Sequence, residues 1–239
     1  MIFFLLFSFF LSSIYLEQPI NLNTKFNTEQ LIVVNTDSWN KIEGKMSVYE
    51  YKGNRWIPVL KGVPIVTGRS GMAWGKGLQN VELNKGKQKK EGDGNSPAGI
   101  FYISGLFGYE DIRSDMESLK VDDRTFCVDD SKSGFYNKIV KIDTVKKDWN
   151  SAETMRMKSD VYKYGIFVDY NTKPAEPGMG SCIFMHIWSG NNKPTAGCTA
   201  MKESDILRLI DFLDKKKNPI LVQLPQSEYD KLKSVYKLP

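Results

Sequence analysis

The chain has 239 residues, a length that suits one domain with a sizeable core or at most two small ones, and one domain is expected. Hydrophobic residues make up 41% and charged residues 26%, which argues against a disordered chain and against a membrane protein with many spans. The net charge is +5, but the basic runs at residues 85–90 and 215–217 are interpreted as solvated, so nucleic acid is not expected as a partner.

The chain begins with an apolar run, MIFFLLFSFFLSSIYL, which has no acidic or basic side chain before Glu17. This is the composition of a signal-peptide core, and the run is short for a membrane span of about 20 residues. Residues 1–18 are therefore predicted to form a signal peptide or an N-terminal anchor that tethers the chain to a membrane. Residues 28–239 are predicted to form a single exported domain.

The first half of this domain reads as strands and turns. Strands are predicted at residues 31–36, in a hairpin over 46–60 that turns at Gly53 and Asn54, at the start of 64–77, and at the end of 89–103. Between these strands lie Gly-rich loops, interpreted mainly as turns.

The second half is less regular. Residues 105–159 are polar and mixed, with one short helix predicted at 151–158. Two apolar strands at 164–171 and 181–188 are expected to be central in a sheet, followed by an amphipathic helix at 203–215 and a last strand at 218–225. The predicted fold class is mainly β with peripheral helices.

The three cysteines, Cys127, Cys182 and Cys198, are an odd number, so at least one thiol is expected to be free or intermolecular. The chain contains one histidine and no CxxC motif. A zinc site built from Cys and His is therefore not predicted.

The chemistry is concentrated in FMHIWSGNNKPTAGCTAM, where His186 lies twelve residues before Cys198. An imidazole beside a thiol can lower the thiol pKa and carry its proton to a leaving amine. Cys198 is predicted to be a nucleophile and His186 its base, with Gly197 and Thr199 framing an oxyanion hole. Spacing alone leaves a purely structural interpretation open, in which Cys198 and His186 are ordinary core residues.

A wider pattern favours the catalytic interpretation. His186, a spacer, Thr195, Gly197 and Cys198 resemble the L,D-transpeptidase signature of His, spacer, Ser or Thr, His, Gly and Cys. KEGDGNSPAGIFYI at residues 90–103 is similar to the GDGxTPxGxF stretch of that family, and VTGRSGMAWG at 66–75 also looks like it.

This resemblance implies a YkuD-type β-sandwich with a mixed sheet, located in the periplasm or cell envelope. It also implies an acyl-enzyme on Cys198, formed from a peptidoglycan stem peptide and passed to an amine, without a cofactor or a metal. Two alternatives stay open: an L,D-carboxypeptidase that uses water instead of the amine, and a catalytically inactive wall-binding module.

The chain departs from the signature at two places. Ala196 stands where the family has a second His, and Thr199 and Ala200 replace a hydrophobic residue followed by Arg or Asn. Arg69 is predicted to contact the substrate carboxylate instead, with Trp188 and Asp169 as further substrate-binding candidates. Asp169 or a backbone carbonyl is expected to orient His186.

Export would also allow a disulfide between Cys127 and Cys182, the pair that leaves Cys198 free. Cys182 precedes His186 by four residues on one predicted strand, so the two side chains are expected on one face. The alternative, two reduced and buried thiols, is preferred slightly here, because Cys residues whose Cα atoms lie beyond about 7 Å cannot pair.

Overall fold

A computed structural model describes residues 19–79 and 85–239 of the chain. The apolar run over residues 1–18 lies outside the described residues, so the signal peptide or anchor stays a prediction. Among the described residues, the helices are too short or too polar to cross a membrane.

Strands dominate the fold. They are β1 Gln30–Thr36, β2 Glu43–Lys52, β3 Arg55–Val66, β4 Met72–Trp74, β5 Ser96–Gly108, β6 Ser118–Lys120, β7 Thr125–Val128, β8 Ile139–Lys141, β9 Ala152–Thr154, β10 Tyr164–Val168, β11 Phe184–Ile187, β12 Thr199–Met201 and β13 Ile220–Pro225. The α-helices are α1 Leu22–Phe26, α2 Glu203–Phe212 and α3 Gln226–Tyr236, and single 3-10 turns lie at Asp160–Tyr162 and Lys215–Lys217.

Ten of the strands form one sheet, in the order β10-β11-β12-β3-β2-β1-β13-β5-β4 with β6 beside β5. β10 also pairs with β5, which joins two distant members of this path and makes the sheet barrel-like. The sheet is mixed, because β1 runs parallel to β13 and β11 runs parallel to β12, while most other pairs are antiparallel. The mainly β, mixed-sheet prediction is confirmed, and the sandwich arrangement stays a prediction.

The predicted elements form for local reasons. β2 and β3 are joined at Gly53 and Asn54, whose φ angles of 57° and 62° suit the two-residue turn of a twisted hairpin. β10 and β11 each have two strand neighbours, as predicted for central strands. Helix α2 turns Ile206, Leu209 and Ile210 inward and packs on β10 and β11.

The short helix predicted in the irregular middle of the chain is wrong. Residues 151–158 are not helical, because Ala152–Thr154 forms β9 and pairs with β7 in a separate three-stranded sheet of order β8-β7-β9. Such short strands are stabilised by pairing with residues about 25 positions away, which local periodicity does not register. The C-terminal helix α3, which buries Tyr229, Leu232 and Tyr236, was also not predicted.

The cysteines differ from the preferred expectation. Cys127 and Cys182 form a disulfide with a Cα–Cα distance of 6.0 Å, and Cys198 is the free thiol. Cys182 precedes β11 and has φ 54°, so the strand alternation that was expected to place it on the face of His186 does not reach it. The preference for two reduced thiols is therefore wrong in this structure.

Candidate active site

Parallel pairing of β11 with β12 brings the two candidate residues together. His186 is the partner of Ala200, and Cys198 lies two residues before Ala200. Directly paired residues share a face of a sheet, so His186 and Ala200 face the same side, and Cys198 lies just before β12. His186 and Cys198 line a cavity of about 470 Å³, together with Ala200.

Cys198 is buried, with 5% of its surface exposed. Its Sγ accepts a hydrogen bond from the Phe184 N–H at 3.3 Å and donates to the Cys182 carbonyl at 3.5 Å. Burial raises the thiol pKa well above its usual range, and the charge of Glu153 raises it further. The Phe184 N–H and the Tyr162 hydroxyl lower the pKa by smaller amounts.

His186 is 6% exposed, and its Nδ1 lies 2.8 Å from the carbonyl oxygen of Ile187. Because a carbonyl only accepts, Nδ1 carries the ring proton and Nε2 keeps its lone pair. Burial lowers the pKa of His186 to about 4, against the opposing hydrogen bond to Ile187. The orienting partner is thus a backbone carbonyl, one of the two predicted options.

The other option, Asp169, does not contact His186. Its carboxylate accepts hydrogen bonds from Thr172 and from Lys173, the latter at 2.9 Å. Asp169 lines a separate cavity of about 230 Å³, so the structure does not support it as a substrate-binding residue beside Cys198.

The loop before Cys198 is held by two hydroxyl groups. Thr195 Oγ1 accepts from the Gly197 N–H at 3.1 Å and donates to the Cys198 carbonyl at 2.6 Å. Ser96 Oγ donates to the same carbonyl at 3.0 Å and accepts from the Gly68 N–H at 2.9 Å. Ser96 belongs to the GDGNSP stretch, and this contact links that motif and the Gly68 turn to the Cys198 backbone.

The GDGNSP turn is built around Asp93. Its carboxylate accepts from the backbone N–H groups of Asn95 and Lys90, at 2.9 and 2.8 Å, and pairs with Lys89 Nζ at 2.7 Å. Lys89 is 3% exposed, so the interpretation of residues 85–90 as wholly solvated is wrong at this position. At Gly68, a Cβ atom would lie 2.3 Å from the Gly94 carbonyl oxygen, which explains the glycine.

The remaining predicted residues separate into two groups. Arg69, Trp188, Thr195 and Gly197 line the cavity with Cys198, and the Arg69 side chain is exposed. Thr199 is buried, its Oγ1 bonds to Gln223 Oε1, and it is absent from the cavity wall. The Gly197 N–H is engaged by Thr195, whereas the Cys198 N–H has no hydrogen-bond acceptor among the described residues.

Sequence reasoning missed an acidic wall of this cavity, formed by Glu91, Asp129 and Glu153. Glu91 accepts from the hydroxyls of Tyr136 and Ser181 at 2.6 and 2.7 Å, and Glu153 accepts from the Tyr162 hydroxyl at 2.7 Å. Asp129 and Glu153 lie in the segment without clear periodicity, and no local pattern indicated them. Within residues 19–79 and 85–239, no group of three or more His, Cys, Asp or Glu is arranged to hold a metal ion.

Comparison with known proteins adds the family. The model of the YkuD family, described as the L,D-transpeptidase catalytic domain, matches residues 29–222. No curated protein sequence gives a match. Among solved structures, the chain is similar to the helical cell shape determining protein Pgp2 from Campylobacter jejuni, with 15% identity and a TM-score of 0.37.

That alignment covers 82% of this chain and 48% of Pgp2, so the chain spans about half the length of that protein. The family model, in contrast, covers most of the barrel-like sheet, from the residue before β1 into β13, and includes both His186 and Cys198. The chain belongs to the YkuD family of L,D-transpeptidase catalytic domains.

Proposed function

We propose that the chain is a cysteine acyltransferase that acts on peptidoglycan stem peptides, with Cys198 as nucleophile and His186 as general base. The observation that carries this proposal is that both side chains line one cavity, with the lone pair of His186 Nε2 left free by the bond from Nδ1 to Ile187. Family membership supplies the substrate class.

The resting pair is neutral, because burial raises the pKa of the Cys198 thiol and lowers the pKa of His186 to about 4. His186 therefore removes the thiol proton as sulfur attacks, rather than before it. The S–H hydrogen, which bonds to the Cys182 carbonyl in the resting structure, first turns toward Nε2.

The reaction then has two halves. Sulfur attacks the carbonyl carbon of the third stem residue, the imidazolium returns its proton to the departing amine of the terminal D-amino acid, and a thioester forms. An acceptor amine next attacks the thioester and gives its proton to His186. The new amide leaves and the thiol is restored, so no cofactor takes part.

The developing oxyanion needs a hydrogen-bond donor in a fixed position. The Cys198 N–H is the candidate that the contacts favour, because it has no acceptor among the described residues, while the Gly197 N–H is held by Thr195. Gly197 and Thr195 then act by shaping the loop, and Thr199 contributes its backbone in β12 rather than its side chain.

Arg69 is the proposed partner for the substrate carboxylate, in place of the Arg or Asn that the signature has after Cys198. Its backbone N–H donates to the Thr195 carbonyl at 2.9 Å, which ties it to the Cys198 loop, and its exposed guanidinium lies at the same cavity. Trp188, half-buried in the cavity wall, offers an apolar surface for the stem peptide.

The cellular setting is also a proposal. Peptidoglycan lies in the cell envelope, and the Cys127–Cys182 disulfide is typical of an oxidising compartment. One catalytic domain is proposed, because the main hydrophobic core includes Leu22 near one end of the described chain and Tyr236 near the other.

The test uses the purified chain and defined tetrapeptide stems, with and without an amine acceptor, followed by mass analysis of the products. A cross-linked product supports the transferase, and a tripeptide without cross-links supports the carboxypeptidase. Cys198→Ala is the control. Absence of any product from the wild-type chain, together with stem-peptide binding, would favour the inactive wall-binding module.

A further inference from the structure

Two further polar side chains, Glu153 and Tyr162, lie in the wall of the cavity that holds Cys198. Glu153, on β9, accepts a hydrogen bond from the Tyr162 hydroxyl at 2.7 Å. Tyr162 and Cys198 belong to one buried cluster of side chains, and the Tyr162 hydroxyl lowers the pKa of the Cys198 thiol. Glu153, Tyr162 and Cys198 all line the catalytic cavity.

Tyr162 is held firmly in this position. It is 4% exposed, and its ring packs edge-on against the rings of His186 and Phe184, with centroid distances of 5.1 and 5.8 Å. Phe107 packs on it at 5.6 Å. The ring therefore has little freedom, and the hydroxyl hydrogen is the part that can turn.

A tyrosine hydroxyl has one hydrogen and can donate it to one acceptor at a time. In the structure it is given to Glu153 Oε2. When the carboxyl is protonated, it can instead donate to the tyrosine oxygen, and the tyrosine hydrogen becomes free for sulfur.

We propose that Glu153 is a positioning residue that sets the reactivity of Cys198 by directing the Tyr162 hydroxyl. Protonated Glu153 donates to Tyr162, which then donates to sulfur and stabilises the negative charge that sulfur develops as its proton leaves. Ionised Glu153 captures the Tyr162 hydrogen and withdraws that stabilisation. The inference rests on the proposed role of Cys198 as nucleophile.

The surroundings of Glu153 place its change of protonation in the neutral pH range. Burial raises the pKa of Glu153 to about 7, opposed by the Tyr162 bond and reinforced by the charges of Asp129 and Glu91. The groups that face Glu153 are thus Tyr162, Asp129, Glu91 and the Cys198 thiol, from four different parts of the chain. An ionised Glu153 in turn raises the pKa of Cys198.

The test is the rate of alkylation of Cys198 by iodoacetamide as a function of pH, which needs no peptidoglycan. Cys127 and Cys182 are joined in the disulfide, so Cys198 is the thiol that reacts. Glu153→Gln should match the wild type near pH 5.5 and react about tenfold faster near pH 9, equivalent to about one unit of thiol pKa. If Glu153→Gln and the wild type react at equal rates at both pH values, or if the variant reacts more slowly, the proposal is overturned.

Glu91→Gln is the matched control, because Glu91 lines the same cavity but is bonded to Tyr136 and Ser181. This variant should keep the wild-type alkylation rate near pH 9. The pH at which the rate profile bends, where Glu153 titrates, should be lower, because the charge of Glu91 raises the pKa of Glu153. A tenfold gain in this variant would mean that any lost charge suffices, which contradicts the proposal.

The role of the hydroxyl is isolated with Tyr162→Phe. In the Tyr162→Phe background, Glu153→Gln should no longer accelerate alkylation near pH 9. An undiminished gain would show that the Glu153 charge acts directly on the Cys198 sulfur and would refute a role for the Tyr162 hydroxyl. The wild-type protein alone gives a check that needs no variant. The logarithm of its alkylation rate, plotted against pH, must rise with a slope below one near pH 7. Inactivity on stem peptides with this pattern intact would reject the proposed function alone.

Discussion

Removing the disulfide is expected to cost a large share of the stability of the domain. Cys127, on β7, and Cys182, just before β11, are 55 residues apart, and their bridge closes a loop that contains β8, β9 and β10. In the chain-entropy model, a loop of this length stabilises the folded state by about 4 kcal/mol. Total stabilities of about 5 to 15 kcal/mol are usual, so this is a large share.

The same change should disturb the site. The Cys182 carbonyl accepts from the Cys198 thiol, and the Cys182 N–H donates to Asn137 Oδ1 at 2.9 Å. Without the bridge, the segment before β11 keeps those bonds but loses its covalent tie to β7. Reduced turnover is expected at temperatures where the fold is still intact.

The assay is equilibrium unfolding in urea, followed by tryptophan fluorescence, for the wild type and the Cys127→Ala/Cys182→Ala variant. Wild type in a reducing agent should lose a similar free energy of unfolding, and Cys198→Ala, which keeps the bridge, should lose far less. A loss below about 1 kcal/mol would refute the loop-entropy reasoning. Three free thiols in the denatured, non-reduced wild type would show that the bridge does not form.

Three further predictions follow from the site and the turns. Cys198→Ala and His186→Ala should each lower kcat/KM by about a thousandfold or more, and the double variant should be no slower than the worse single one, which steady-state kinetics will show. Gly71→Ala should destabilise the fold in thermal unfolding far more than Gly53→Ala, because its Cβ would lie 2.0 Å from a backbone oxygen, whereas Gly53 has open space. Folding raises the pKa of the Glu153 carboxyl from 4.5 to about 7, so the carboxyl stabilises the fold below pH 4.5, and this stabilisation is lost as the pH rises through 7. Glutamine does not titrate, so the free energy of unfolding of Glu153→Gln should rise relative to wild type by up to about 3 kcal/mol between about pH 4 and pH 8. Urea unfolding at several pH values measures this difference.

The sequence alone determined much of the sheet. Residues 31–36, 164–171 and 181–188 are apolar runs rich in β-branched and aromatic side chains, and each contains a strand of the structure. The turn at Gly53 and Asn54 was predictable, because positive φ is strongly favoured by these residue types. The family was also readable, since its signature is a short run around Cys198 that needs no tertiary information.

Only the tertiary structure decided what surrounds the thiol. Cys198, Tyr162 and Glu153 come from three separated segments, and their contacts depend on the parallel register of β11 with β12 and on the pairing of β9 with β7. A three-residue strand has no periodicity to detect, which is why the segment of Glu153 was taken for a helix.

The disulfide and the burial of the catalytic candidates follow the same division. Spacing in sequence restricts neither the 6.0 Å between the Cα atoms of Cys127 and Cys182 nor the exposure of Cys198. Residue identity determines which groups can bond or ionise. Long-range packing sets the distances between these groups and their burial away from water. This burial raises the pKa of the Cys198 thiol and keeps His186 neutral.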